Sequence, residues 1–263
     1  MKAVAPTPLI WSLAGAVMLF LYLPILVIVA LSFNTSPRVG LPFEGFTFDW
    51  YAALLDNRQM MKAIWNSVYV AAGTVLIGVP LGVMGAIAMD RFHFPGKETF
   101  RRLVLLPVVL PGVITGVSLL NFYVWGGVRL SLHTIIMGQG TALICITVTE
   151  VFARLQQLGR SQYEAAHDLG ANEWEIFFRV TLPNIKTALI GSVMIVLSLS
   201  LDEIAVTYLL TGRDNTLPMV LWSILRREAT PLVNVAGTVM IVLTLVLVTI
   251  GLRLSRGRQH NAH

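Results

Sequence analysis

Two adjacent carboxylates, Asp202 and Glu203, stand within a long apolar run of the chain. A charged side chain at mid-membrane costs about 2.5–3.5 kcal/mol on insertion scales, so it normally faces the protein interior or a water-filled path. Neighbouring residues of a helix point about 100° apart, so one carboxylate is predicted to face a translocation path while the other meets a partner helix or a loop arginine. The chemistry indicated is cation binding, with Asp202 as the first candidate for substrate contact and Glu203 as the second.

Aromatic side chains accompany this acidic pair. Tyr208 and Trp222 are able to extend a cation-binding surface, because the face of an aromatic ring attracts positive charge. Each ring taken alone is also typical of the aromatic belts at membrane interfaces. The alternative to a path is an internal ion pair with Arg226 or Arg227. A hydrolytic acid dyad is disfavoured, because adjacent helical residues diverge in space.

A second candidate site is the charged, helix-forming segment 154–187. Ser161-x-x-Glu164 has the form of a capping box, in which the serine oxygen accepts an amide proton and the glutamate reaches back to the N-cap amide. The helix that begins there is predicted to end at Gly170, because glycine suits the left-handed position that follows many helices.

A second short helix is predicted to follow this glycine. Asn172 is its expected N-cap, with Glu175 three residues further on. The helix is expected to end before Pro183, because a proline disfavours helical geometry at the preceding residue, here Leu182. The segment is therefore predicted to be a hairpin of two short helices.

The simplest interpretation of this hairpin is a capped loop in which Glu164 only caps a helix. The functional interpretation is a docking element, in which Ala165 and Ala166 present a smooth face to a groove on a partner. No P-loop is present, since the Gly96-Lys97 pair has Arg91 where that motif requires glycine. Energy is therefore expected from another chain or from an ion gradient, and no metal-ligating cluster of cysteine and histidine is found in the sequence.

The elements that must position these residues are membrane helices. The chain is 56% hydrophobic and 13% charged, whereas soluble domains carry roughly a quarter charged residues. A spanning helix needs about 20 apolar residues. Six segments qualify: Leu9–Phe33, Trp65–Met89, Leu103–Trp125, Ile135–Ala153, Ala188–Leu210 and Leu232–Leu252. We therefore expect a single all-α transmembrane domain over residues 1–263, without a cleaved signal peptide.

The positions of Lys and Arg predict the orientation. With both termini in the cytosol, twelve of the nineteen basic residues lie on the inner side, which agrees with the positive-inside rule. The net charge of +5 is therefore attributed to orientation in a membrane rather than to nucleic-acid binding. Close helix packing is expected at the small-residue motifs Gly78–Gly82 and Gly112–Gly116.

The hairpin carries a resemblance to a known family. The series Glu164-Ala-Ala-x-x-x-Gly170, nine residues, Val180-x-Leu182-Pro183 resembles the cytosolic motif of binding-protein-dependent ABC importer permeases. That family has isoleucine where this chain has Val180. The resemblance implies a type I importer permease fold and a coupling helix, Glu164–Gly170, seated in a groove of an ATPase subunit. It also implies that Tyr163, Leu182 and Pro183 contribute to this coupling.

A second set of motifs resembles one branch of that family. Ser200-Leu-Asp-Glu203, Thr216-Leu-Pro218 and the stretch from Arg226 to Asn234 are similar to the second permease subunit of spermidine/putrescine importers. This chain departs from the branch at Leu201, Glu228 and Val233.

This second resemblance implies a polyamine, putrescine or spermidine, as substrate and a bacterial inner membrane as the location. It further implies a second permease, two ATP-binding subunits that hold ATP and Mg²⁺, and an extracytoplasmic solute-binding protein. The chain itself is then not an enzyme and binds no cofactor. The alternatives are a related importer of another solute and a gradient-driven transporter.

Overall fold

The computed structural model describes residues 8–40, 42–159, 161–226 and 230–256. Within these ranges the chain is helical, with one isolated β-bridge between Asn34 and Phe46. The helices are α1 (Pro8–Leu31), α2 (Asp49–Asp56), α3 (Arg58–Arg91), α4 (Lys97–Val109), α5 (Gly112–Trp125), α6 (Leu132–Leu158), α7 (Ser161–Asp168), α8 (Glu173–Ile176), a π-helical turn (Phe177–Thr181), α9 (Leu182–Asp202), α10 (Ala205–Leu210), α11 (Leu217–Leu225) and α12 (Pro231–Arg256).

Five helices of the described chain are long and apolar enough to cross a membrane, and α4 with α5 forms a bent pair that makes six candidate spans. The predicted continuous segment Leu103–Trp125 is wrong in one respect, because the axes of the two helices differ by 104°. The break lies at Leu110, which is extended (φ −78°, ψ 134°). A residue before proline avoids the helical region, and Pro111 has no N–H to continue the helix.

The predicted fifth segment, Ala188–Leu210, is also broken. Helix α9 ends at Asp202, Glu203 is extended (φ −73°, ψ 117°), and α10 begins at Ala205. The two carboxylates therefore lie at a helix end, and the predicted 100° separation of their side chains within an unbroken helix is wrong. The Glu203 carboxylate instead accepts a hydrogen bond of 2.9 Å from the N–H of Val206, which helps to begin α10.

The expected helix end before Pro183 is wrong. Leu182 is helical (φ −59°, ψ −44°), and its N–H donates to the carbonyl of Phe177, five residues back. This wider π-helical turn accommodates Pro183, whose ring in an ordinary helix clashes with the carbonyl four residues before it. The apolar run Glu173–Asp202 is consequently one continuous candidate span.

The chain divides into two compact units, Met1–Met61 with Leu221–Leu243, and Lys62–Val220 with Thr244–His263. In the first unit, the short helix α2 follows the first long helix of the chain. The residues before it form an aromatic cluster, in which the rings of Phe33 and Phe46 stack with centroids 4.8 Å apart. Asn34 orders the same loop, because its side-chain oxygen accepts the N–H of Glu44 at 2.9 Å.

In the second unit, α3, α6 and α9 pack around a buried apolar core that includes Val83, Val151 and Ile185. Glycines bring α3 and α6 close together, as a Cβ added at Gly82 would lie 2.5 Å from the Cβ of Thr147. Helix α5 approaches α10 in the same way at Gly116, where an added Cβ would lie 2.7 Å from Leu209. The predicted close packing at both small-residue motifs thus has a structural counterpart.

Candidate functional site

The first candidate site is the hairpin, defined here as Ser161–Thr181. Its bend is a Schellman motif: the N–H of Gly170 donates to the carbonyl of His167 at 2.9 Å, and the N–H of Ala171 donates to that of Ala166 at 3.1 Å. Gly170 is left-handed, with φ +82°. These bonds satisfy carbonyls that would otherwise lack partners at the end of α7, so the predicted glycine bend is confirmed.

The second arm of the hairpin begins with a complete capping box. The Asn172 side chain accepts the N–H of Glu175 at 2.9 Å, and the Glu175 carboxylate accepts the N–H of Asn172 at 3.1 Å. The predicted cap at Asn172 is therefore confirmed. Ser161 was predicted to be the N-cap of α7. It is instead the first residue within that helix, and the residue before it lies outside the described ranges.

A residue that the sequence did not single out holds the hairpin to α3. The Arg91 guanidinium lies over the ring of Tyr163, 4.2 Å from the ring centroid, and its Nη1 is 3.6 Å from the Glu173 carboxylate. Its Nη2 donates a hydrogen bond to the Thr181 hydroxyl. The Arg91 side chain is only 13% exposed, so one largely sheltered cation contacts both arms of the hairpin.

Tyr163 and Glu173 also contact each other directly. The Tyr163 hydroxyl donates to Oε1 of Glu173 at 2.5 Å. This hydrogen bond, more than burial or the negative charge, raises the pKa of Tyr163 above its ordinary value, and Arg91 opposes the rise. A cleft of about 170 Å³ lies beside these groups, between the ends of α3, α6 and α9.

The rest of the predicted docking surface is open. Glu164 and Ala165 are exposed and Ala166 is half-buried. The second arm adds Trp174, 74% exposed, whose ring stacks on that of Phe178. Leu182 and Pro183 lie beyond this surface, in the first turn of α9. The hairpin thus presents small, acidic and aromatic groups together, and apolar groups exposed in this way are typical of interaction surfaces.

The second candidate site lies where the two broken helices meet. A cleft of about 250 Å³ is lined by the α4–α5 break, by α6 and by the α9–α10 break. Glu203 is its one acidic lining residue, and Thr115 supplies a hydroxyl. In membrane transporters, discontinuous helices of this kind commonly form solute and ion sites, since the freed backbone groups line a cavity.

The other predicted path residues are more open. Asp202 and Tyr208 are exposed, and within the described ranges neither Asp202 nor Glu203 forms an ion pair. Trp222 belongs to the first compact unit, where the Arg226 guanidinium lies 4.9 Å from its ring centroid. Arg227, the other predicted ion-pair partner, lies outside the described residues.

A buried polar network beside the acidic pair was also missed. The Gln139 side chain, 2% exposed, donates to the Thr207 hydroxyl at 2.8 Å and accepts from the Ser200 hydroxyl at 2.5 Å. Thr74 of α3 adds a longer bond of 3.4 Å. The signal in the sequence that could have indicated this network is a glutamine within an apolar run, because polar groups inside a membrane need partners.

Comparison with known proteins identifies the family. The model of the binding-protein-dependent transport system inner membrane component family matches residues 78–258. The chain belongs to this family. The matched range includes the hairpin and the break at Glu203, so both candidate sites lie in the part of the chain that defines a permease of this kind.

Relatives of this chain include permease proteins of spermidine and putrescine transport systems. The spermidine/putrescine permease protein PotC of Haemophilus influenzae is 31% identical over 242 residues, covering 92% of this chain and 94% of the relative. The putrescine permease protein PotI of Escherichia coli (strain K12) is 35% identical over 231 residues, covering 84% of this chain and 82% of the relative. The resemblance read from the sequence motifs is therefore confirmed.

Solved structures show the same fold. The bacterial ABC transporter involved in the import of the acidic polysaccharide alginate matches with a TM-score of 0.74 at 21% identity, over 94% of this chain and 96% of that chain. The inward-facing methionine ABC transporter MetNI matches with a TM-score of 0.64 at 18% identity, over 81% of this chain and 99% of that chain. The expected all-α importer permease fold is confirmed.

Proposed function

We propose that this permease is a subunit of an ATP-driven polyamine importer. The observation that carries the proposal is similarity over most of the chain to PotC and PotI, whose names state spermidine and putrescine transport. The fold alone does not choose the substrate, since one solved structure with the same fold belongs to an importer of an acidic polysaccharide. The choice rests on the relatives and on the acidic side chain in the cleft.

The chemistry of the second candidate site supports a cationic substrate. Glu203 lines the cleft at the meeting of two broken helices, and the other lining groups are mostly apolar. A polyamine carries ammonium groups joined by methylene segments, so a carboxylate beside apolar walls matches both parts of the molecule. Asp202 stands at the adjacent helix end and is exposed, so it is available to a second ammonium group or to the path formed with a partner permease.

The hairpin is the proposed coupling element. Tyr163, Glu164, Ala165 and Ala166 would seat in a groove of an ATP-binding subunit, with Gly170 fixing the angle to the second arm. ATP and Mg²⁺ would bind to two such subunits, and a second permease would complete the path. An extracytoplasmic solute-binding protein would deliver the substrate. We place both chain termini and the hairpin on the cytosolic side of a bacterial inner membrane, as the positive-inside rule favours.

Uptake of labelled putrescine and spermidine tests this function. The chain is expressed with its partner permease, ATP-binding subunit and binding protein in cells that lack their own polyamine importers. Saturable, ATP-dependent uptake of either compound is expected. An assembled complex that hydrolyses ATP without polyamine uptake would contradict the substrate assignment, and uptake without the ATP-binding subunit would contradict the importer assignment.

A further inference from the structure

The hairpin is joined through the chain to α6 and α9, but it has no covalent connection to α3 nearby. Helix α3 ends at Arg91, which precedes Tyr163 by 72 residues and Glu173 by 82 residues in the sequence. A displacement of the hairpin therefore reaches α3 through contacts between helices. The structure places the largely sheltered Arg91 guanidinium at the direct contact between α3 and the hairpin.

The geometry points to Arg91 as the positioning residue that transmits hairpin movement to α3. Three contacts support this inference. The guanidinium lies 4.2 Å from the centroid of the Tyr163 ring in α7, and 3.6 Å from the Glu173 carboxylate in α8. It also donates to the Thr181 hydroxyl of the π-helical turn. Arginine is suited to this arrangement, because its planar group presents a stacking face and several N–H donors at once.

Two of the residues that contact Arg91 also contact each other. Tyr163 donates a hydrogen bond of 2.5 Å to Glu173, so the two arms of the hairpin are tied to each other beneath the guanidinium. The neighbouring Asp90 accepts a hydrogen bond of 2.6 Å from Gln156 of α6. The end of α3 is thereby held to α6 as well as to the hairpin.

Burial separates this contact from an ordinary surface ion pair. Exposed pairs contribute little, since water and salt screen them. The Arg91 side chain is 13% exposed, although the Glu173 side chain is 63% exposed. The cation is thus largely sheltered while its carboxylate partner stays accessible, and the ring of Tyr163 covers the guanidinium face.

The inference rests on the proposed coupling role of the hairpin, so the test separates the two. The complex is reconstituted in proteoliposomes with its binding protein, and ATP hydrolysed per putrescine imported is measured for R91M, R91K, G170P and R102M. Arg102 is the matched control, because its side chain is 78% exposed and its ion pair within the described residues is with Glu98, one helical turn away.

We expect R91M to raise the ATP consumed per substrate by about threefold or more, as changes within coupling networks commonly do. R91K keeps the charge, but a lysine cannot stack on Tyr163 and also reach both Glu173 and Thr181. An intermediate rise in the ATP consumed per putrescine is therefore expected. R102M should match the wild type. If R91M does not assemble with its partners, R91K decides the question.

Each outcome is distinct. If R91M couples ATP hydrolysis to uptake as the wild type does while G170P is uncoupled, the role of Arg91 is overturned and the hairpin remains the coupling element. Where R91M fails to assemble, the same result in R91K leads to the same conclusion. Wild-type coupling in both Arg91 and Gly170 variants would overturn the hairpin assignment itself. Uncoupling in R102M as well as R91M would assign the effect to lost positive charge and overturn the specific role of Arg91.

Discussion

The amide nitrogen of Gln139 donates a hydrogen bond of 2.8 Å to the hydroxyl of Thr207, while the oxygen of the same amide accepts from Ser200. Ser200 lies before the break between α9 and α10, and Thr207 lies after it. A single side chain of α6 therefore bridges the break that contains Glu203. The position of that carboxylate depends on a residue more than sixty positions earlier in the sequence.

Replacing Gln139 with leucine is expected to destabilise the permease and to reduce uptake. The hydroxyls of Ser200 and Thr207 would lose their partner, and a buried unsatisfied polar group costs about 1–3 kcal/mol. Thermal unfolding of the purified complex and uptake of putrescine measure the two effects. T141A is the control, because Thr141 is an exposed residue of the same helix whose hydroxyl, among the described residues, donates to the carbonyl of Met137 one turn earlier. Unchanged stability and uptake in Q139L would contradict the bridging role.

The acidic pair should respond to loss of charge. E203Q keeps an oxygen able to accept the Val206 N–H but removes the negative charge, so we expect uptake to fall by about ten- to a hundredfold, as for a lost charged hydrogen bond. D202N is expected to abolish uptake without reducing membrane insertion. Uptake rates and the amount of permease in the membrane are compared for both variants. Near-normal uptake in either would remove that residue from the path.

The bend of the hairpin depends on the backbone of Gly170. G170P cannot reach φ +82°, because proline holds φ near −65°, and it removes the N–H that donates to His167. We expect G170P to uncouple ATP hydrolysis from uptake, and G170A to cost about 1–2 kcal/mol through left-handed strain alone. G191A is the matched control, since an added Cβ at Gly191 meets nothing within 4 Å and its φ is ordinary. Full coupling in G170P would argue against the docking role of the bend.

The stacked pair of Trp174 and Phe178 is expected to contribute to docking rather than to folding. Trp174 is 74% exposed, so W174A should leave thermal stability within about 0.5 kcal/mol, as surface substitutions usually do. Loss of the ring is expected to reduce co-purification of the ATP-binding subunit. I176A is the contrasting variant, because Ile176 is fully buried and its truncation costs about 2–5 kcal/mol. Normal co-purification of W174A would exclude the ring from the interface.

Ionisation of Tyr163 offers a spectroscopic test of the hairpin contacts. Its pKa is raised first by the hydrogen bond to Glu173. A raised pKa contributes stability that is fully present below the unfolded value, near pH 10, and is lost as the pH rises through the folded value. We expect E173Q to lower the pKa of Tyr163 in an ultraviolet titration, with Y163F identifying its signal among the tyrosines. An unchanged titration in E173Q would show that the Glu173 carboxylate does not raise the pKa of Tyr163.

Local rules predicted the turns of the hairpin correctly. The left-handed Gly170 and the Asn172–Glu175 cap each depend on residues within a few positions of one another, so the sequence contains the whole cause. The end of the second helix before Pro183 was predicted wrongly, because proline's effect on Leu182 is a preference that a π-helical turn can accommodate. The same limitation applies to Pro111, which lies within the segment Leu103–Trp125 that was predicted to be continuous and instead separates α4 from α5.

The contacts of Arg91 and Gln139 were beyond local reasoning. Arg91 follows an apolar run, where a basic residue is explained by membrane orientation alone, and its partners lie more than seventy positions away. Gln139 has partners on three other helices. Composition and spacing predict which segments enter the membrane, but they do not specify which faces of those segments meet.

The absence of a break at Pro183 has a mechanical consequence. The run from Glu173 to Asp202 is one helix of 30 residues, which at 1.5 Å per residue is a rod of about 45 Å. That length exceeds the roughly 30 Å hydrocarbon core of a bilayer. Trp174 and Asp202 then lie near opposite ends of one continuous helix. A sideways displacement at the Trp174 end tilts the whole helix and moves the Asp202 end at the opposite membrane face, and no helix has to unwind.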